Sequence, residues 1–369
     1  VIADYAVEES TITFECETAA PDPVTPRTVP VTLTVHGPRT FRFELRANPE
    51  VPADREYPEL DFDAVAEPVD LDVTETDGSV EIDTGALRIT VGTAEWAFAV
   101  EDADSGETVF AEQRSDPDVF GRRRVEPLGF TQTEINHNPR RVSEAGTAFR
   151  LSPGERIYGA GEQFTEFDRR GQEIELWHEE PLGTETVRAY KNIPFHLSTE
   201  GYGLLVDTTA RVTYDFGRES TASGTVAVDD DAFAFVFFYG PEFPDVIRRY
   251  TGVTGRPDRP PKWSFGTWLS RLGYESRAEL EAVADRLRAE SIPSDVLHLD
   301  PFWMRERSSC DLEWDTDQFP DPEGMIDGLR EAGFRLSLWE HPHVPVGTDA
   351  FAEGVAEGYF VADGTGRPY

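Results

Sequence analysis

Lysine is nearly missing from this chain: Lys191 and Lys262 stand alone among 34 basic residues, so the other 32 are arginine. Cysteine is scarce as well. Cys16 and Cys310 are too few for a disulfide framework and too far apart for a CxxC metal site, and both are expected to be structural thiols. No apolar run approaches the roughly 18 residues that a membrane-crossing helix needs. No basic-then-apolar segment opens the chain, which makes a cytoplasmic location the expectation. The chain starts at Val1 instead of Met, which leaves room for a leader or earlier residues.

What is abundant is acid. The 71 Asp and Glu residues outnumber the basic ones and leave a net charge of -37, a field that repels phosphate backbones and anionic headgroups, so neither nucleic acid nor a membrane is expected as a partner. The 24 Phe, 7 Trp and 11 Tyr are more core material than a disordered acidic chain carries. At about 100 to 200 residues per domain, 369 residues predict two domains. Carboxylates spread along the whole chain, with arginine in place of lysine, resemble the composition of haloarchaeal and other salt-loving proteins. Molar salt shortens the Debye length to about 3 Å and makes such a surface tolerable.

Up to about residue 250 the texture is short β-rich runs, at 31–35, 41–45, 86–91, 96–100, 203–206 and 232–238, separated by Gly, Pro and Asp clusters and without long helical periodicity. That predicts a large antiparallel β-sandwich over residues 1–254. A Pro-rich linker follows at 255–261, and from 262 to 369 strands alternate with helices. Strands are expected at 263–269, 296–300 and 336–340. Ser276 and Glu279 form a capping box before a helix whose apolar positions are Leu280, Val283, Ala284 and Leu287. Asp321 and Pro322 open a second helix that Gly333 closes, and a third covers 349–357 before Gly358. Three βα units at this spacing are compatible with the start of a (β/α)8 TIM barrel, incomplete here because closure takes eight strands. The chain is expected to be part of a longer protein.

Alternation places His298 and Asp300 on one face of the second strand, with Asp300 at its C-terminal end, where barrel enzymes carry functional groups. Phe302 and Trp303 follow it, and the third strand ends in Trp339 and Glu340. Aromatics beside carboxylates suit a sugar, whose C–H face stacks while its hydroxyls donate. The same residues also fit a strand-end turn with a buried Trp. His341 and His343 lack a third ligand for a metal, and Gly159-Ala160-Gly161 is followed by Glu162 rather than by a long helix, which argues against a dinucleotide site. Asp229, Asp230 and Asp231 lack the spaced ligands of a calcium loop and are expected to form a solvated hairpin turn.

Five segments in order, Tyr158-Gly159-Ala160-Gly161-Glu162-Gln163-Phe164, Ala189-Tyr190-Lys191-Asn192-Ile193-Pro194-Phe195, Pro261-Lys262-Trp263-Ser264-Phe265-Gly266, His298-Leu299-Asp300-Pro301-Phe302-Trp303-Met304 and Phe319-Pro320-Asp321-Pro322-Glu323-Gly324-Met325, resemble glycoside hydrolase family 31, and among its members most of all the α-xylosidases. The resemblance runs from about residue 151 to 369 and, at the level of architecture, extends to a mutarotase-like sandwich before it. It implies a retaining α-glycosidase with an Asp nucleophile and an Asp acid/base, no cofactor and no metal, and a small carbohydrate as the partner; a homo-oligomer is left open. Both catalytic carboxylates would lie beyond Tyr369, so the resemblance assigns no catalytic residue to this chain, which alone is expected to be inactive. By the same resemblance Asp300 corresponds to a hydroxyl-binding Asp and Trp339 to a Trp lining the sugar, with Phe302 and Trp303 beside them. Glu180, in the loop Trp177-His178-Glu179-Glu180, would stand where relatives carry an Asp reaching over the barrel mouth. Alternatives are an α-glucosidase of the same family, or a non-catalytic sugar-binding protein if the chain ends naturally at Tyr369.

Overall fold

The computed structural model describes residues 1–17, 28–47, 60–113, 128–133, 141–305 and 310–368. They form two compact units, Val1–Arg256 and Pro257–Tyr369.

The first unit is a β-sandwich. One layer is an eight-stranded antiparallel sheet in the spatial order Ile2–Glu8, Thr11–Glu17, Thr28–Gly37, Thr40–Arg46, Ala232–Tyr239, Tyr202–Val206, Phe195–Ser198 and Ile157–Gly159. Two five-stranded sheets share its core. One is a meander from Asp72–Thr76 to Thr108–Ala111; the other orders Gly129–Thr133, Arg141–Arg150, Ser223–Val228, Val212–Ser220 and Glu173–Leu176. A bridge between Glu112 and Phe149 joins the two.

Period-2 patterning explains most of these strands: in Thr28–Gly37 the buried positions Val29, Val31, Leu33 and Val35 alternate with half-exposed ones. The central strand Ala232–Tyr239 is apolar throughout because both its faces are covered. Phe235 and Phe237 stack on Phe43 and Phe41 at 5.0 and 4.9 Å inside the sandwich. Val236 and Phe238 face the opposite way, toward a helix, Phe243–Thr254.

That helix departs from the expectation of a purely β first domain. Its signal is Pro244 in the first turn and Val246, Tyr250 and Val253 at i, i+4 and i+7. Val246 and Val253 are buried, and the Tyr250 ring stacks on Phe195 at 3.9 Å. The Asp229–Asp231 stretch is also corrected. It is a bend, but one that carries the chain from Ser223–Val228 in one sheet to Ala232–Tyr239 in another, rather than a hairpin.

The second unit holds three parallel strands, Trp268–Arg271, Val296–Leu299 and Arg335–Leu338, neighbours in that order. The expected first strand at 263–269 is thus displaced. Residues Lys262–Phe265 form a 3-10 turn in which Ser264 Oγ donates to the Pro261 carbonyl at 2.7 Å, and pairing starts only at Trp268.

Helix Arg277–Ala289 is capped by Ser276, whose hydroxyl accepts from Glu279 N. The Glu279 carboxylate accepts from Glu275 N at 2.9 Å, one residue earlier than a reciprocal box requires. Helices Pro322–Glu331 and Asp349–Glu357 are capped by Asp321 and Thr348. Leu280, Ala284, Leu287, Met325 and Leu329 pack on Leu297 and Leu299 from the outward face of the sheet.

Candidate functional site

Because the strands are parallel and in register, Ser270, His298 and Ser337 form one row across the sheet. Leu269, Leu297 and Leu336 form the adjacent row and belong to the helix-packed core, so alternation sends the polar row to the opposite face. Bulky aliphatic side chains usually fill that face in a barrel; here the row Ser270, His298 and Ser337 is polar, next on that face to the row that holds the buried Val296. His298 Nδ1 lies 3.0 Å from Ser337 Oγ.

Asp300 follows on the same face, just past the end of Val296–Leu299. Pro301 lacks an N–H and starts a 3-10 turn, Pro301–Trp303, which ends the strand there. Ser270 Oγ donates to Asp300 Oδ2 at 2.7 Å. Among the described residues no hydrogen bond reaches Oδ1. Nearby, Tyr274 is buried in the core with its hydroxyl lacking a partner among the described residues. Burial pushes this phenol up; Arg271, whose guanidinium lies 5.4 Å from the ring centre, opposes that, and the charges of Glu279 and Asp300 add to it.

The two aromatics after Asp300 part company. Phe302 is half-buried, its ring against Gly273, where a Cβ would come within 3.4 Å of it. Trp303 is 4% exposed and lies in the core, 5.0 Å from the Trp314 ring, with Nε1 donating to the Trp339 carbonyl at 2.9 Å. Of the two openings the sequence left, the buried-Trp turn therefore describes Trp303, while Asp300, Phe302 and Trp339 remain at the strand ends. Trp339 N donates to Leu299 O at 2.8 Å, and its ring meets His341 edge-on at 5.0 Å.

Glu180 belongs to the sandwich unit. It is exposed, and Oε1 accepts from Leu182 N at 3.1 Å. The base of its loop is pinned by Asn192, whose Nδ2 donates to the carbonyls of Trp177 and Ala189 at 2.7 and 2.8 Å. Gln163 in turn donates to Asn192 Oδ1 at 2.6 Å. Two of the motif segments therefore meet at the root of this loop.

Among the described residues no three His, Cys, Asp or Glu side chains gather as metal ligands, and His343 N donates to His341 Nδ1 at 3.1 Å within a tight turn. Cys310 is buried and its sulfur accepts from His341 N at 3.1 Å. No helix of the described residues is long and apolar enough to cross a membrane. Ser270 is the site residue that sequence reasoning missed. Its signal was a small polar residue at an inward position of Trp268–Arg271, invisible while the strand was expected to end at residue 269.

Comparison with known proteins supplies the context. Residues 30–215 match the glycosyl hydrolase 31 N-terminal galactose mutarotase-like domain, and residues 257–369 match the glycosyl hydrolases family 31 TIM-barrel domain. An alpha-xylosidase, XylQ, of Lactiplantibacillus pentosus is 35% identical over 62% of this chain and 30% of its own length. An alpha-xylosidase of Emericella nidulans is 36% identical over 57% of this chain and 27% of its own. Alpha-glucosidase 2 of Bacillus thermoamyloliquefaciens is 28% identical over 57% and 27%. The chain therefore spans under a third of the length of these relatives. Among solved structures, a Flavobacterium johnsoniae GH31 dextranase complexed with glucose superposes with a TM-score of 0.84 at 23% identity, over 100% of this chain and 42% of that one. A GH31 alpha-xylosidase from a soil metagenome complexed with xylose gives 0.77 at 20% identity, over 99% and 51%. At such identities these two show the fold alone.

Proposed function

The chain belongs to glycoside hydrolase family 31, and from that premise we propose that it supplies one wall of the sugar subsite of a retaining α-glycosidase, with α-xylosides as substrates. The observation that carries this reading is Asp300, held by one carboxylate oxygen at a strand end with Trp339 just past the end of the neighbouring strand. Such a carboxylate accepts hydrogen bonds from sugar hydroxyls while an aromatic ring packs on the C–H face. Phe302, lodged against Gly273, is the candidate for filling the space that the extra hydroxymethyl group of glucose would need. Trp303 serves by holding the Trp339 backbone. The glycosidic bond itself is broken by two carboxylates about 5 Å apart, both expected outside residues 1–369, so this chain alone should hydrolyse no α-glycoside.

The 35–36% identity to two α-xylosidases favours xylose; the relationship to an α-glucosidase keeps glucose as the second reading. Specificity constants of the full-length protein for aryl α-xyloside and aryl α-glucoside decide between them. Shape exclusion of one small group is worth about 1 to 3 kcal/mol, so xyloside should be preferred with slow glucoside turnover remaining. A clear glucoside preference overturns the xylosidase reading, and sugar binding without turnover of either overturns the enzyme.

A further inference from the structure

We propose that Ser270 is a positioning residue for Asp300, fixing the carboxylate so that Oδ1 is the oxygen offered to a sugar hydroxyl. The inference rests on the reading of Asp300 as a sugar ligand and adds to it a residue on a different strand. An ionised carboxylate only accepts, so in the 2.7 Å contact Ser270 must be the donor, and a bond of this kind to an ionised group is among the stronger ones.

The need for such a bond follows from the side chain itself. Rotation about the terminal bond of Asp is broad and weakly restricted, so a carboxylate at a strand end presents either oxygen to a ligand unless something holds one. Among the described residues the holder is Ser270. Ser270 pairs in register with His298, two residues before Asp300 on the same face, and reaches forward to Oδ2. His298 is itself engaged through Nδ1 with Ser337. Among the described residues Ser270 makes the one side-chain hydrogen bond to Asp300. With that bond in place one acceptor site of Oδ2 is taken and the carboxylate is oriented before any ligand arrives, with both sites of Oδ1 left open, and the ordering cost of the carboxylate is met by folding rather than by binding.

The test uses the full-length protein and whichever aryl α-glycoside it turns over faster, together with the monodeoxy analogues of that sugar. Asp300→Ala is measured first: the deoxy position at which its penalty disappears identifies the hydroxyl that Asp300 accepts from. Ser270→Ala should lower kcat/KM about three- to tenfold on the parent sugar, the size of one hydrogen bond, and should lose that penalty at the same deoxy position. Ser270→Thr, which keeps the donor, should restore activity. A Ser270→Ala penalty of equal size on every analogue, no penalty at all, or a Thr variant no better than Ala overturns the positioning role. An Asp300→Ala penalty that is the same at every position overturns the sugar-ligand reading itself, and the positioning role with it. If Ser270→Ala does not fold, Ser270→Cys, a weak donor of similar shape, takes its place in the same comparison.

Discussion

Trp303 and Trp339 are joined by a hydrogen bond from the indole Nε1 of one to the carbonyl oxygen of the other, 2.9 Å long. The first ring is buried and the second half-exposed at the strand ends, so a core side chain fixes the backbone from which a surface aromatic projects. Trp303→Phe keeps an aromatic ring in the core but leaves a part-buried carbonyl without its donor. The expected cost is about 1 to 3 kcal/mol, read as a lower urea midpoint, with a fall in kcat/KM of the full-length protein as Trp339 loosens. An unchanged midpoint would mean that water replaces the indole donor.

His196 offers a test in the sandwich core. It is fully buried, stacked on Phe149 and edge-on to Tyr214 and Phe216, and neither ring nitrogen has a partner among the described residues. Burial lowers it from 6.5 to about 3. A base depressed in the folded state contributes stability that is whole above pH 6.5 and lost as pH falls toward 3. His196→Phe should remove this drain and move the acid-unfolding midpoint to lower pH, as well as raising the melting temperature by removing unsatisfied polar atoms. A lower melting temperature would show that the extra ring volume is not accommodated.

Glu112 acts in the opposite direction. Burial raises it from 4.5 to about 7, against the hydrogen bonds it accepts from Thr147 Oγ1 at 2.7 Å and Leu128 N at 3.1 Å. An acid raised in the folded state contributes stability present below pH 4.5 and lost as pH climbs through 7, by at most about 3.5 kcal/mol at 1.4 kcal/mol per unit. Glu112→Gln, always neutral, should flatten the stability profile between about pH 4.5 and 7, which denaturant titrations at several pH values will show. An identical slope in wild type and variant would mean that Glu112 stays ionised.

The net charge of -37 with two lysines sets the salt prediction. Ion pairs such as Arg211 with Glu175 and Arg218 with Glu173 lie on the surface, where each contributes little, and 34 basic residues cannot neutralise 71 acidic ones. The full-length protein is expected to lose structure in low salt and regain it in molar KCl. A melting temperature that stays flat from about 0.1 to 3 M salt removes the halophilic reading.

Local rules sufficed wherever one residue type satisfies one local need. Val29, Val31, Leu33 and Val35 alternate because one face of their strand is buried. Ser276, Asp321 and Gly358 mark helix ends because orphan backbone groups need a cap there or a left-handed turn. Asp300 was legible as a strand-end carboxylate because Pro301 cannot continue the ladder. What tertiary structure decided depends on partners distant in the chain. Trp303 turned inward because Trp314 and the Trp339 carbonyl were there to receive it, while its neighbour Phe302 settled on Gly273; adjacency in sequence says nothing about which of two aromatics has such a partner. The first barrel strand began at Trp268 because Pro261 through Phe265 closed a 3-10 turn. That shift of register put Ser270 opposite His298 and within reach of Asp300, a relation that exists only once two strands thirty residues apart have paired.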